Sequence, residues 1–287
     1  MIIVHGEMRC GTTWVATMLS RIGDLSVVHE PCNPEWHKAD WIPDPQTPKM
    51  FLKAWTDEVR EFFTGACDLW WRHPWHNNET TEEIVQRVRE VFRYTEEAYP
   101  GVQIQKHMLL PYFREMRAVW PGCTIVYMRR RLASWLSAVW RTETVRNMIL
   151  YARWGCGRPW DILVDWFASE MGTDEPLRRK LLTLAAYYDA MTSFREVLLE
   201  RDLGGDYLGV DYEHLTGSYE IEMPRLFGYC GIPIPGPDKL YELAGAVPRS
   251  KMDPGLIRAI HDVSEFVETF CWLRGSSSAA RIRQTCT

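Results

Sequence analysis

Short runs of β-branched and other apolar residues alternate along this chain with segments of helical periodicity. That is the pattern of parallel strands joined by crossover helices. Residues 2–5, 25–29, 102–105, 124–128 and 207–210 read as strands, all but the first running into an ionisable residue and the first into the loop that opens at Gly6. Residues 13–22 carry Val15, Met18, Leu19 and Ile22 on one helical face, and residues 81–99 form a second amphipathic stretch. The long segment 176–201 places Leu181, Leu184, Ala185, Tyr188 and Met191 in one apolar stripe. Asp253-Pro254 sets an N-cap residue before a first-turn proline and opens a further helix to about residue 272. No internal repeat is visible. The fold class expected is α/β, a three-layer sandwich around a central parallel sheet.

Two segments break the alternation. Residues 31–78 and 153–173 are rich in tryptophan, proline and turn formers, including Trp70-Trp71-Arg72-His73-Pro74-Trp75. Loops after strand ends form the ligand crevice in such sheets, so both are expected to be acceptor-binding insertions. Tryptophans packing a small helical subdomain account for them equally well. With 287 residues, one domain over 1–272 is expected, followed by a mobile tail at 273–287.

The net charge of −5 speaks against a nucleic-acid partner, which requires a broad basic surface. Basic residues are concentrated locally at Arg129-Arg130-Arg131, a cluster that on its own is compatible with a solvated helix start. Eight cysteines without a C-x-x-C pair suggest reduced thiols and neither a disulfide scaffold nor a zinc site. His73-Pro74-Trp75-His76 lacks the spacing of a ligand pair, so no metal is expected. No apolar stretch approaches the roughly 20 residues that span a bilayer, and the first strand starts at Ile2. A cytoplasmic protein with no membrane partner is the expectation.

Residues 6–14, Gly-Glu-Met-Arg-Cys-Gly-Thr-Thr-Trp, lie directly between the first strand and the first helix. Their spacing is that of the phosphate loop G-x-x-x-x-G-K-[ST], in which backbone N–H groups wrap a phosphate at a helix N-terminus. Thr12 stands where the lysine that reaches β and γ phosphates belongs. A loop that holds a phosphate without that grip points to a nucleotide carrying something other than a γ-phosphoryl group. A second anion site is suggested by Arg129, at a strand end, and Ser137, eight residues later on a helix. A guanidinium and a hydroxyl so placed can meet around one phosphate, with Arg141 one turn beyond on the same face.

These motifs together resemble the sulfotransferases that use 3′-phosphoadenosine 5′-phosphosulfate. Arg9-Cys10-Gly11-Thr12-Thr13-Trp14 is similar to that family's 5′-phosphosulfate loop, with Cys10 in place of the usual serine and Met8 in place of proline. Arg129 and Ser137 have the spacing of its 3′-phosphate site. Val210-Asp211-Tyr212-Glu213-His214-Leu215, then Pro224-x-Leu226-Phe227 and Gly231-Ile232-Pro233, resemble a segment common in bacterial and Golgi-type members. His214 stands where Asp is frequent, and Val247-Pro248-Arg249-Ser250-Lys251 is the best candidate for the family's C-terminal nucleotide loop. The resemblance covers roughly residues 1–272.

The resemblance implies a P-loop-like sulfotransferase fold and an enzyme moving a sulfuryl group from that donor to a hydroxyl of a small-molecule, saccharide or natural-product acceptor. It implies donor contacts from Arg9, Cys10, Gly11, Thr12, Thr13, Trp14, Arg129 and Ser137. Arg9 would stabilise the departing 5′-phosphate, Thr12 and Thr13 would donate at the helix start or simply cap it, the two being compatible, and Trp14 would stack on adenine or pack in the core. Two bases are on offer for the acceptor hydroxyl, Glu30 and His107, of which Glu30 is preferred; Lys106 is an electrostatic partner for the sulfonate. Two competing readings are a P-loop small-molecule kinase and a nucleotide-binding module without catalysis.

Overall fold

The computed structural model describes residues 1–30, 81–98, 101–107, 112–141, 158–245 and 252–273. The insertion 31–78 with its histidines and tryptophans, residues 247–251 and the tail after 273 lie outside the described residues. The chain divides into two compact units, residues 1–129 with 198–247, and residues 130–197 with 248–287.

The first unit is built on five parallel strands: β1 (Ile2–Gly6), β2 (Val27–His29), β3 (Ile104–His107), β4 (Thr124–Arg129) and β5 (Leu208–Asp211), in the order β2-β3-β1-β4-β5. β1 is buried throughout, and its central position follows from five consecutive residues that can be covered on both faces. α1 (Thr12–Gly23) covers one face, burying Val15, Ala16, Met18 and Leu19. α2 (Thr81–Ala98) and α3 (Phe113–Val119) cover the other, where the Phe113 ring meets His5 and the Phe92 ring meets His107. The sheet is therefore flanked by helices on both sides, in agreement with the layered α/β expectation. α7 (Tyr212–Gly217), α8 (Tyr219–Tyr229) and α9 (Pro237–Gly245) complete this unit.

The second unit contains α4 (Leu132–Arg141), α5 (Arg158–Met171), most of α6 (Pro176–Leu203) and α10 (Pro254–Leu273). The five stripe residues of α6 are all buried. α10 starts where the Asp-Pro pair predicts, with the Leu256 N–H donating to Asp253 Oδ1 at 3.0 Å. Residues 158–171, expected as part of an irregular insertion, are helical, with the Trp166 and Phe167 rings stacked and Phe167 edge-on to Phe266.

One strand differs from its expected position in a way that matters. β3 runs over Ile104–His107 and not 102–105. Lys106 and His107 look like strand-ending polar residues, but both are paired in the sheet, His107 with His5 and Lys106 with Val4 and His29. Sheet context overrides the propensity of an isolated Lys-His pair.

Candidate active site

In parallel sheets of this kind ligands bind outside the carboxyl ends of the strands, where successive connections leave in opposite directions. Here that point is the end of β1, flanked by β3 and β4. The loop leaving β1 is shaped by two glycines. A Cβ at Gly6 would lie 2.7 Å from the Met128 carbonyl oxygen and 2.9 Å from Thr12 Cγ2, so only glycine lets the loop turn so close to β4. Gly11 has φ +90°, and a Cβ there would lie 2.7 Å from the Tyr212 ring. Gly11 is also the N-cap of α1, so no threonine side chain performs that role. The first bond of the helix runs from the Val15 N–H to the Gly11 carbonyl. The N–H groups of Thr12, Thr13 and Trp14 therefore precede the intrahelical ladder, the arrangement that receives an anion.

The loop is internally braced. The Cys10 N–H donates to the Glu7 carbonyl and the Met8 N–H to Glu7 Oε1, with Glu7, Cys10 and Thr12 buried and Arg9 and Thr13 exposed. Arg9 has φ +66°, a left-handed conformation for a residue with a side chain. Glu30, just beyond β2, has φ +48°. Of the three residues other than glycine with positive φ among those described, two thus stand at this site, where sparsely populated backbone conformations concentrate.

Glu30 is placed by the sheet itself. Its N–H donates to the Lys106 carbonyl at 2.7 Å, and its carboxylate pairs with the Lys106 ammonium. Both side chains are about 95% buried, Lys106 at 4% exposure and Glu30 at 5%. Arg9 lies within electrostatic reach of the same carboxylate. Partial desolvation of its guanidinium against the loop lowers its pKa and Glu30 opposes that effect; the arginine remains charged. The site thus brings together Arg9, Glu30 and Lys106, three of the four residues expected to take part in the chemistry.

His107 is placed elsewhere. Alternation along β3 turns it with Gln105 toward the face covered by α2 and α3. Its Nε2 is 2.9 Å from Gln105 Oε1, and its ring lies edge-on to Phe92 and tilted against Trp120. Lys106, one residue earlier, falls on the α1 face with His29, its in-register neighbour. His29 is buried, and its Nε2 has no hydrogen-bond partner among the described residues.

Both histidines are held neutral. Burial, reinforced by the Lys106 ammonium and opposed by the Glu30 carboxylate, pushes His29 down to about 4 and His107 down to about 3. The unfolded chain, with ordinary histidines near 6.5, binds more protons than the folded one between those values. Stability should therefore be level above about pH 7 and fall as pH drops from there, at about 1.4 kcal/mol per pH unit for each histidine. A thermal melting series from pH 8 to pH 5 checks this. His107→Gln is expected to melt lower at pH 8 but to lose part of the slope.

At the other end of the sheet, Arg129 closes β4 in register with Asp211, which closes β5. Tyr212 lies over Gly11 and presents its ring edge-on to Trp14, with centroids 6.0 Å apart. Trp14 thus has an aromatic neighbour and is half-buried, as a stacking surface or a packing residue would be. Ser137 is on α4 in the second unit, its hydroxyl donating to the Ala133 carbonyl, and Arg141 Nε donates to the Ser137 carbonyl.

Sequence reasoning did not single out His29, Asp211 or Tyr212 as members of the site. His29 directly precedes Glu30 at the end of β2. Asp211 was readable only once β5 was aligned beside β4.

A 2-3-1-4-5 parallel sheet flanked by helices, whose first strand feeds a glycine-shaped loop and a helix N-terminus without the lysine that grips a triphosphate, defines a P-loop-like α/β class of fold. Within that class the chain belongs to the sulfotransferase family, whose family model matches residues 2–236. No curated protein matches it significantly. It is accordingly an enzyme of sulfuryl transfer. No helix among the described residues is long and apolar enough to cross a membrane, and no cluster of potential metal ligands occurs among them.

Proposed function

We propose that this enzyme transfers the sulfuryl group of 3′-phosphoadenosine 5′-phosphosulfate to a hydroxyl of a carbohydrate or natural-product acceptor, with Glu30 as general base. The observation that carries the reading is the buried Glu30–Lys106 pair at the ends of β2 and β3, with Arg9 of the anion loop in reach of the same carboxylate. The loop suits the donor's 5′-phosphate. A side chain at position 11 would strike Tyr212, and the first-turn N–H groups supply donors without a lysine.

When bound, the donor supplies an activated sulfuryl group whose S–O bond to the 5′-phosphate breaks during transfer. Glu30 takes the proton of the acceptor hydroxyl as that oxygen bonds to sulfur. Lys106 favours the ionised carboxylate beforehand, because an ammonium in contact stabilises the charged form. Arg9, the N–H groups of α1 and Lys106 neutralise the charge that grows on the leaving phosphate, the dominant contribution in loose displacements of this kind. Arg129 takes the donor's 3′-phosphate, and Trp14 borders the adenine. Glu30 is favoured over His107 as the base because His107 lies on the other face of the sheet and packs against Phe92 and Trp120.

The test is donor turnover against a panel of saccharide and aromatic hydroxyl acceptors, read as release of 3′-phosphoadenosine 5′-phosphate together with sulfated product. The expected result is acceptor-dependent release that persists with a chelator and falls by about 10³-fold in Glu30→Gln. Phosphorylated product formed from ATP with the same acceptors would overturn the proposal.

A further inference from the structure

The Arg129 side chain does not stand alone at the end of β4. Its guanidinium passes over Gly209, where a Cβ would lie 3.7 Å from Nη2 and 3.8 Å from Cζ. It then meets the Asp211 carboxylate, Nη2 donating to Oδ2 at 3.1 Å and Nε standing 3.0 Å from Oδ1. The contact engages the Nε and Nη2 side of the guanidinium. Phosphate recognition then falls to its Nη1 and Nη2 edge, since a planar fork can serve one oxyanion on each edge. Asp211 also precedes Tyr212, whose ring covers Gly11 of the anion loop, so one dipeptide borders both the loop and the arginine.

We infer that Asp211 is a positioning residue that fixes the pose of Arg129 and thereby gives the enzyme its preference for a nucleotide bearing a 3′-phosphate. The inference rests on the assignment of Arg129 to that phosphate under the proposed function. The Arg129 side chain is 41% exposed, and without a partner so long a side chain would spread over many rotamers and lose that freedom again on binding. Asp211 contributes to that ordering in the folded protein through its ion pair with the guanidinium. Gly209 is the second part of the device: a Cβ there would already stand in van der Waals contact with the guanidinium, and the branches of a valine reach beyond a Cβ. The bare charge of Asp211 works against anion binding, so positioning and charge predict opposite signs when the carboxylate is removed.

The experiment is calorimetric titration of 3′-phosphoadenosine 5′-phosphate and of adenosine 5′-phosphate into the wild type, Asp211→Ala, Gly209→Val and Arg129→Ala. The wild type is expected to prefer the 3′-phosphorylated ligand. In Asp211→Ala and in Gly209→Val the ratio of the two dissociation constants should fall at least about fivefold, with adenosine 5′-phosphate binding unchanged. An unchanged or increased ratio in Asp211→Ala overturns the inference, as does equal weakening of both ligands, which a merely structural defect would cause. If Arg129→Ala loses the preference and Asp211→Ala keeps it, the inference fails while the assignment of Arg129 stands. If the wild type binds both nucleotides alike, the assignment itself fails and takes the inference with it.

Discussion

Glu30→Gln is expected to lower kcat by about 10³-fold while leaving the affinity for 3′-phosphoadenosine 5′-phosphate within about twofold, the signature of a lost general base. The amide keeps the shape of the carboxylate but cannot accept the acceptor's proton. It also leaves the Lys106 ammonium buried without its counter-ion, a change that costs about 3–5 kcal/mol when one partner of a buried pair is removed. A melting measurement must therefore accompany the kinetics. Glu30→Asp separates the two effects, because it keeps the charge and shortens the reach. It should remain folded, bind the nucleotide normally and lose about 10–100-fold in kcat. Full activity in a folded Glu30→Gln enzyme would remove Glu30 from the chemistry.

Lys106→Met is expected to lower kcat by about 10²-fold and to move the acidic limb of the pH–rate profile upward. The sign follows from burial. Glu30 must be ionised to act, and activity falls as pH drops through its pKa. With the ammonium gone, a carboxylate at 5% exposure loses a contact that favours its ionised form, so activity is lost at higher pH than in the wild type. Lys106→Arg retains a cation and should return the limb toward its original place even if kcat stays low. A reduced kcat with an unmoved limb would confine Lys106 to the leaving group and break its link to the base.

Much of this arrangement was legible in the residues. The strands ending near Gly6, His29 and Arg129, the helix opened by Asp253-Pro254 and the apolar stripe of α6 follow from local pattern, which is why they stand close to where periodicity puts them. The tight loop after β1 was legible because its glycines serve backbone geometry and leave a fixed spacing. What local pattern could not supply is register. Whether Lys106 or His107 turns toward Glu30 depends on how β3 aligns with β1 and β2, and a shift of one residue exchanges the two faces. The sequence left both bases open for that reason, and the aligned strands set Lys106 against the carboxylate and His107 against Phe92. Asp211 was hidden by the same limitation. It belongs to a motif that reads as structural, and its contact with Arg129 joins residues 82 positions apart.

The most direct measurement is calorimetric binding of 3′-phosphoadenosine 5′-phosphate in competition with ATP, on the wild type and on Arg129→Ala. The account predicts selective binding of the 3′-phosphorylated nucleotide by the wild type, without added metal, and at least about tenfold weaker binding by the variant. Equal affinity for the two nucleotides, or a preference for ATP, would contradict it and move the site to phosphoryl transfer.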